Sequence, residues 1–110
     1  MCSSDLGIRL LGPNCQGLAN LAEGIPLTFS GALYDAPRPP AGHVAFVSQS
    51  GAFGFSSFGV GMEHGVRFRY VVTTGNQSDL DAVECADYVL EDPEVRLLIE
   101  IGRASCRERV

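Results

Sequence analysis

The sequence predicts an α/β fold, a parallel βαβαβ sheet, and three observations carry that prediction. Residues 44–48 (VAFVS), 67–73 (RFRYVVT) and 95–99 (VRLLI) are short apolar or β-branched runs, the pattern of strands covered on both faces. Between them, residues 51–64 and 80–91 carry helical spacing. The joins are short, so each strand–helix–strand unit returns as a right-handed crossover to a parallel neighbour.

Ahead of this block, residues 8–14 (IRLLGPN) read as an apolar strand closed by the turn Gly12-Pro13-Asn14. The pattern then loosens through Gly24, Pro26, Gly31, Pro37, Pro39, Pro40 and Gly42. Residues 21–43 read as a linker stiffened by proline. The helix at 80–91 places Leu80, Val83, Ala86 and Leu90 on one face, with Ser78 and Asp81 spaced as a capping box. Asp79 and Asp81 suit the positive end of its dipole, and Pro93 ends it. The helix at 51–64 is harder to justify locally, because Gly54, Gly59 and Gly61 each cost about 1 kcal/mol relative to alanine. Tertiary packing has to hold it, and glycine lets the sheet or a ligand approach closely.

The chain ends have a separate explanation. A commonly used sequencing-library adapter, translated in one frame, encodes residues 101–110 without a mismatch, and its counterpart encodes residues 1–6. Both segments are therefore expected to be translated adapter and excluded from fold reasoning. Ile101 is the one residue of that tail placed to extend the last strand. What remains holds Cys15 and Cys85, too far apart for a metal or disulfide framework and consistent with a reduced cytoplasm. It has five arginines against eleven acidic residues, which argues against a nucleic-acid surface. No apolar run reaches membrane-spanning length, and no metal site is expected.

The chemistry concentrates at Ser50-Gly51, between the strand at 44–48 and the glycine-rich helix. A turn at the carboxyl end of a parallel strand leaves the N–H groups of Gly51, Ala52 and Phe53 unpaired at a helix N-terminus. Converging donors and the helix dipole suit an anion, phosphate above all. Ser50 serves as N-cap or as a further phosphate ligand. Ligands of open α/β sheets bind at this edge. The stretch is not a nucleophile elbow, since Ser48 replaces the first glycine of that motif, and it lacks the lysine of a P-loop.

Four stretches, RLLGPNCQG, PPAGHVAFVSQSGAFG, TTGNQSDLD and EDPEVRLLI, resemble in order and spacing the nucleoside-diphosphate-forming acyl-CoA synthetases. That superfamily includes ADP-forming acetate–CoA ligases and the succinyl-CoA synthetase α subunit. The resemblance implies a truncated flavodoxin-like parallel sheet over 44–100, the first half of a ligase domain. Residues 7–20 would be the last strand of a Rossmann-like CoA-binding domain. It further implies interconversion of carboxylate, CoA and ATP (or GTP) with acyl-CoA, ADP (or GDP) and phosphate, through an acyl phosphate and a phosphohistidine. Mg with the nucleotide, and an ATP-grasp domain or β subunit, complete the enzyme. Ser50, Gly51 and Ala52 would hold phosphate, and Asn14, Gly75 and Asn76 would line the same cleft. The family's phosphorylated histidine matches neither His43 nor His64, and Glu100 does not stand where its supporting glutamate would. This chain alone is thus expected to be inactive, with no cofactor of its own and no partner among nucleic acids or membranes. A second class is a synthetase-like regulatory portion of a protein-lysine acetyltransferase. A partial sheet also predicts one apolar face left bare.

Overall fold

Seven elements run along the chain in the computed structural model, which describes residues 8–31 and 40–102. They are β1 (Gly17–Asn20), β2 (Ile25–Thr28), β3 (Val44–Ser48), α1 (Gly51–Glu63), β4 (Phe68–Thr73), α2 (Ala82–Leu90) and β5 (Leu97–Ile101). They form one five-stranded sheet in the order β2-β1-β4-β3-β5. β3 lies between β4 and β5 and runs parallel to both, Phe46 opposing Val71 on one side and Ile99 on the other. The parallel βαβαβ unit is therefore as the sequence predicts. Ile101 does extend β5. Of the other residues expected to be adapter, Gly102 is described, and 1–6 and 103–110 lie outside the described residues.

The period of two along β3 divides the core. Phe46 joins Ala19, Phe55, Phe58, Phe68 and Val71 under α1, whereas Ala45 and Val47 join Val72, Ala82 and Val89 under α2. The glycines of α1 allow its close approach to the sheet. A Cβ on Gly54 would stand 3.0 Å from Thr73 Cγ2, and one on Gly61 would stand 3.0 Å from the Phe68 ring.

Four expectations need correction. No strand forms over residues 8–14; this strap bonds to the loop before α2 instead, Leu80 N donating to Leu10 O (3.1 Å) and Ser78 N to Gly12 O (3.1 Å). The strand comes later, as β1, which pairs antiparallel with both β2 and β4 and makes the sheet mixed. The stretch read as linker from residue 21 contains β2, Pro26 included: β2 is an edge strand, where a missing N–H is tolerated. Finally, α2 starts at Ala82 and is capped by Asp81, whose side chain accepts from Glu84 N (2.8 Å), so Ser78 is not its cap. The later start turns Ala82, Ala86 and Val89 inward and leaves Val83 and Leu90 exposed.

α2 packs mainly over β3 and β5. Beside it, Leu18, Leu27, Tyr70 and Val72 line an apolar cavity of ≈ 530 Å³, with Leu27 63% exposed.

Candidate anion site at the carboxyl edge of the sheet

Three loops meet where β3 and β4 end. Ser48, fully buried at the end of β3, shapes the first: its hydroxyl donates to Ser50 O (2.9 Å) and accepts from Ser50 N (3.1 Å). Ser50 then caps α1, its Oγ accepting from Phe53 N (3.1 Å), while Ser50 O takes Gly54 N (2.9 Å). Phe53 is thereby removed from the set of free donors expected from the sequence. Among the described residues no acceptor meets the N–H of Gly51 or Ala52. Gly51 is buried and Ala52 is exposed, so these two donors stand at the border of protein and solvent.

The second loop is Thr74-Gly75-Asn76. Thr74 N donates to Ser48 O (2.9 Å) and Gly75 N to Gln49 O (3.1 Å), which fixes it to the end of β3. Gly75 has φ +59°, and a Cβ there would lie 2.2 Å from Pro13 O; only glycine serves both demands. Asn76 N donates to Pro13 O (2.9 Å), tying in the third loop, residues 12–16. That loop carries Asn14 in the left-handed region (φ 58°) and is secured again by Gln16 N donating to Thr73 Oγ1 (3.1 Å).

Asn14, Cys15, Gln16, Phe29, Gln49, Ser50, Gly51 and Ala52 enclose a cleft of ≈ 300 Å³. Of the six residues singled out in the sequence, the structure thus brings Asn14, Ser50, Gly51 and Ala52 to one cleft. Gly75 and Asn76 stand behind it, on the same edge of the sheet, and support the Asn14 loop without lining the cavity. Gln16, Gln49, Cys15 and Phe29 are the lining residues that sequence reasoning missed. Gln16 carried no local signal, since its place depends on Thr73, 57 residues away. A Cβ on Gly51 would stand 2.7 Å from Gln16 N, so helix and loop are already at their closest approach.

The lining holds no charged side chain. It offers backbone N–H groups, amides, a thiol and a hydroxyl, which suit a small anion held by hydrogen bonds. Among the described residues no three His, Cys, Asp or Glu side chains cluster as metal ligands. His43 and His64 stand apart from the cleft; His64 Nδ1 bonds Val60 O (2.9 Å) at the end of α1, and His43 Nδ1 bonds Glu94 O (2.8 Å). Among the described residues, no helix is long and apolar enough to cross a membrane.

Comparison with known proteins identifies the family of the fold. The family model described as "Succinyl-CoA ligase like flavodoxin domain" matches residues 41–101. Acetate–CoA ligase (ADP-forming) I of Archaeoglobus fulgidus is 34% identical over 93 residues, which are 84% of this chain and 13% of that protein. The α subunit of acetate–CoA ligase (ADP-forming) II of Pyrococcus furiosus is 33% identical over 97 residues, 86% of this chain and 20% of that one. Among solved structures, dinucleotide-forming acetyl-coenzyme A synthetase 1 of Ca. Korarchaeum cryptofilum, in complex with phosphate and ADP, superposes with a TM-score of 0.76 at 31% identity. The match covers 89% of this chain and 20% of that one. The chain thus spans a fifth or less of the length of these relatives.

Proposed function

Because this chain belongs to the succinyl-CoA ligase-like flavodoxin domain family, we propose that it supplies the phosphate-binding helix N-terminus of an acid–thiol ligase. The whole enzyme would interconvert carboxylate, CoA and ATP (or GTP) with acyl-CoA, ADP (or GDP) and phosphate, through an acyl phosphate and a phosphohistidine. One observation carries the reading: the N–H groups of Gly51 and Ala52, unpaired among the described residues, stand at a cleft shared with Asn14 and Gln16. A phosphoryl group in transit needs fixed donors around its oxygens, and a helix N-terminus provides them without reorganisation. The uncharged lining fits phosphate and offers no cation for a nucleotide. In this reading Mg, nucleotide and CoA are held by an ATP-grasp domain or β subunit and by a preceding CoA-binding domain. Residues 7–20 would end that CoA-binding domain, and residues 44–100 would open the ligase domain, in a cytoplasmic enzyme. The relatives named above are ligases, and nothing in the cleft favours the acetyltransferase-linked regulator.

The test is a titration of the ¹⁵N-labelled chain with inorganic phosphate. Saturable shifts centred on the Gly51 and Ala52 amides, with Asn14 responding, are the expected result. A diffuse response over the surface, or none at these amides, overturns the assignment.

A further inference from the structure

We propose that Asp79 is a positioning residue for this cleft: it holds the strap of residues 9–16, and through it Asn14 and Gln16, against the N-terminus of α1. The consequence for binding rests on the phosphate reading above; the positioning itself does not.

Asp79 uses both carboxylate oxygens on the strap. Oδ1 accepts from Arg9 Nε (3.0 Å) and Oδ2 from Leu10 N (2.9 Å). Arg9 continues to Glu84 on α2, its Nη2 donating to Oε2 (2.8 Å), so the strap is pinned to two successive elements. Backbone bonds follow from Leu80 N to Leu10 O, from Ser78 N to Gly12 O and from Asn76 N to Pro13 O. This line of ties runs directly into Asn14, whose loop lines the cleft. The strap needs such ties because it joins no strand, and Ile8, Arg9, Leu10, Pro13 and Asn14 are exposed. Only Leu11 packs with the α2-side core.

An exposed ion pair alone contributes little. Asp79 differs in being only 18% exposed and in accepting a backbone N–H beside the guanidinium, a charge-assisted pair of bonds with fixed geometry. Its dipole role, suggested by position, is secondary, since Asp81 makes the cap of α2.

The test uses the whole chain, with inorganic phosphate as probe. In Asp79→Ala, ¹⁵N relaxation is expected to show increased fast motion at residues 14–16, and phosphate is expected to bind about three- to tenfold more weakly. Asp79→Asn keeps an acceptor for Leu10 N–H and should recover part of both losses. Arg9→Ala, which leaves the backbone tie intact, provides the milder variant should Asp79→Ala fail to fold. Asp92→Asn, which breaks an ion pair away from the cleft, should leave residues 14–16 and phosphate affinity unchanged. Unaltered order at residues 14–16 in the Asp79 and Arg9 variants overturns the proposal, as does a loosened strap with unchanged phosphate affinity. If the unsubstituted chain ignores phosphate, the function reading fails and the order at residues 14–16 alone decides the positioning.

Discussion

Gly51 is where helix, loop and cleft meet, so replacing it with valine is the sharpest perturbation of the site. The Cβ of any side chain there would stand 2.7 Å from Gln16 N and 2.8 Å from Gln16 Cγ. That is about 0.8 Å inside ordinary contact near ~3.5 Å. Gln16 cannot swing aside freely, because its N–H is bonded to Thr73 Oγ1 and its carbonyl accepts from the Thr28 hydroxyl. Relief must come from moving the 12–16 loop or the first turn of α1. Overpacking of this kind costs about 1–3 kcal/mol, or roughly 5–15 °C in melting midpoint for a domain of this size. The same movement displaces the Gly51 N–H or the Asn14 lip. Loss of one hydrogen bond to an anion weakens phosphate by about 10- to 150-fold. Calorimetry and phosphate titration measure the two effects on the chain. If the proposed ligase function holds, formation of the phosphoenzyme from labelled ATP in the intact protein should be blocked while CoA binding is nearly unchanged. A Gly51→Val protein with parental melting, phosphate affinity and labelling would show that Gly51 merely starts a helix, and the phosphate-site reasoning would be wrong.

Other perturbations test the scaffold. Gly75→Ala combines a φ of +59° with a Cβ 2.2 Å from Pro13 O and should cost about 2 kcal/mol or more by urea unfolding; a smaller loss would mean that the two loops are not locked together. Phe58→Ala removes a fully buried ring set between Phe55 and Phe68 and should cost about 3–5 kcal/mol, whereas a loss below ~1 kcal/mol would deny that α1 packs here. Asp92 is held at about 2, first by the Arg69 guanidinium (2.6 Å) and then by the Glu94 N–H and the Tyr70 hydroxyl. Its folded-state value lies below the unfolded one, so its contribution is complete above about pH 4 and is lost as pH falls towards 2. Asp92→Asn should flatten stability against pH in that window, and an unchanged acid limb would remove Asp92 from the account.

The parallel unit was legible because its signals are local. β3 reads as a strand from four successive apolar residues, and its two faces follow from alternation alone once α1 and α2 flank it. The hairpin was not legible. β1 and β2 are four residues each, and GLAN and IPLT contain glycine, asparagine and proline, which propensity assigns to turns. Pairing with β4 overrides that preference, and no stretch of sequence contains the partner. Residues 8–11 failed in the opposite sense: their apolar run suits a strand, but their backbone bonds go to the loop at 78–80, nearly seventy positions on.

The same distinction governs the site. Ser50 and the free N–H groups of Gly51 and Ala52 follow from the rules of a helix start, and the sequence alone yields them. What turns a helix start into a cleft is a wall, and Asn14 and Gln16 supply it from a loop that Gly75, Asn76 and Thr73 help to hold at the site. The turn motifs at 12–14 and 74–76 are individually ordinary. Their meaning lies in one contact, Pro13 O against Gly75, which requires that residue 75 have no side chain and a left-handed backbone. A glycine that looks like a turn residue in the sequence is, in the fold, the point at which two loops are joined to hold one wall of the cleft. The site is therefore a property of three loops, 12–16, 49–52 and 74–76, of which the last is bonded to both of the others without lining the cleft itself.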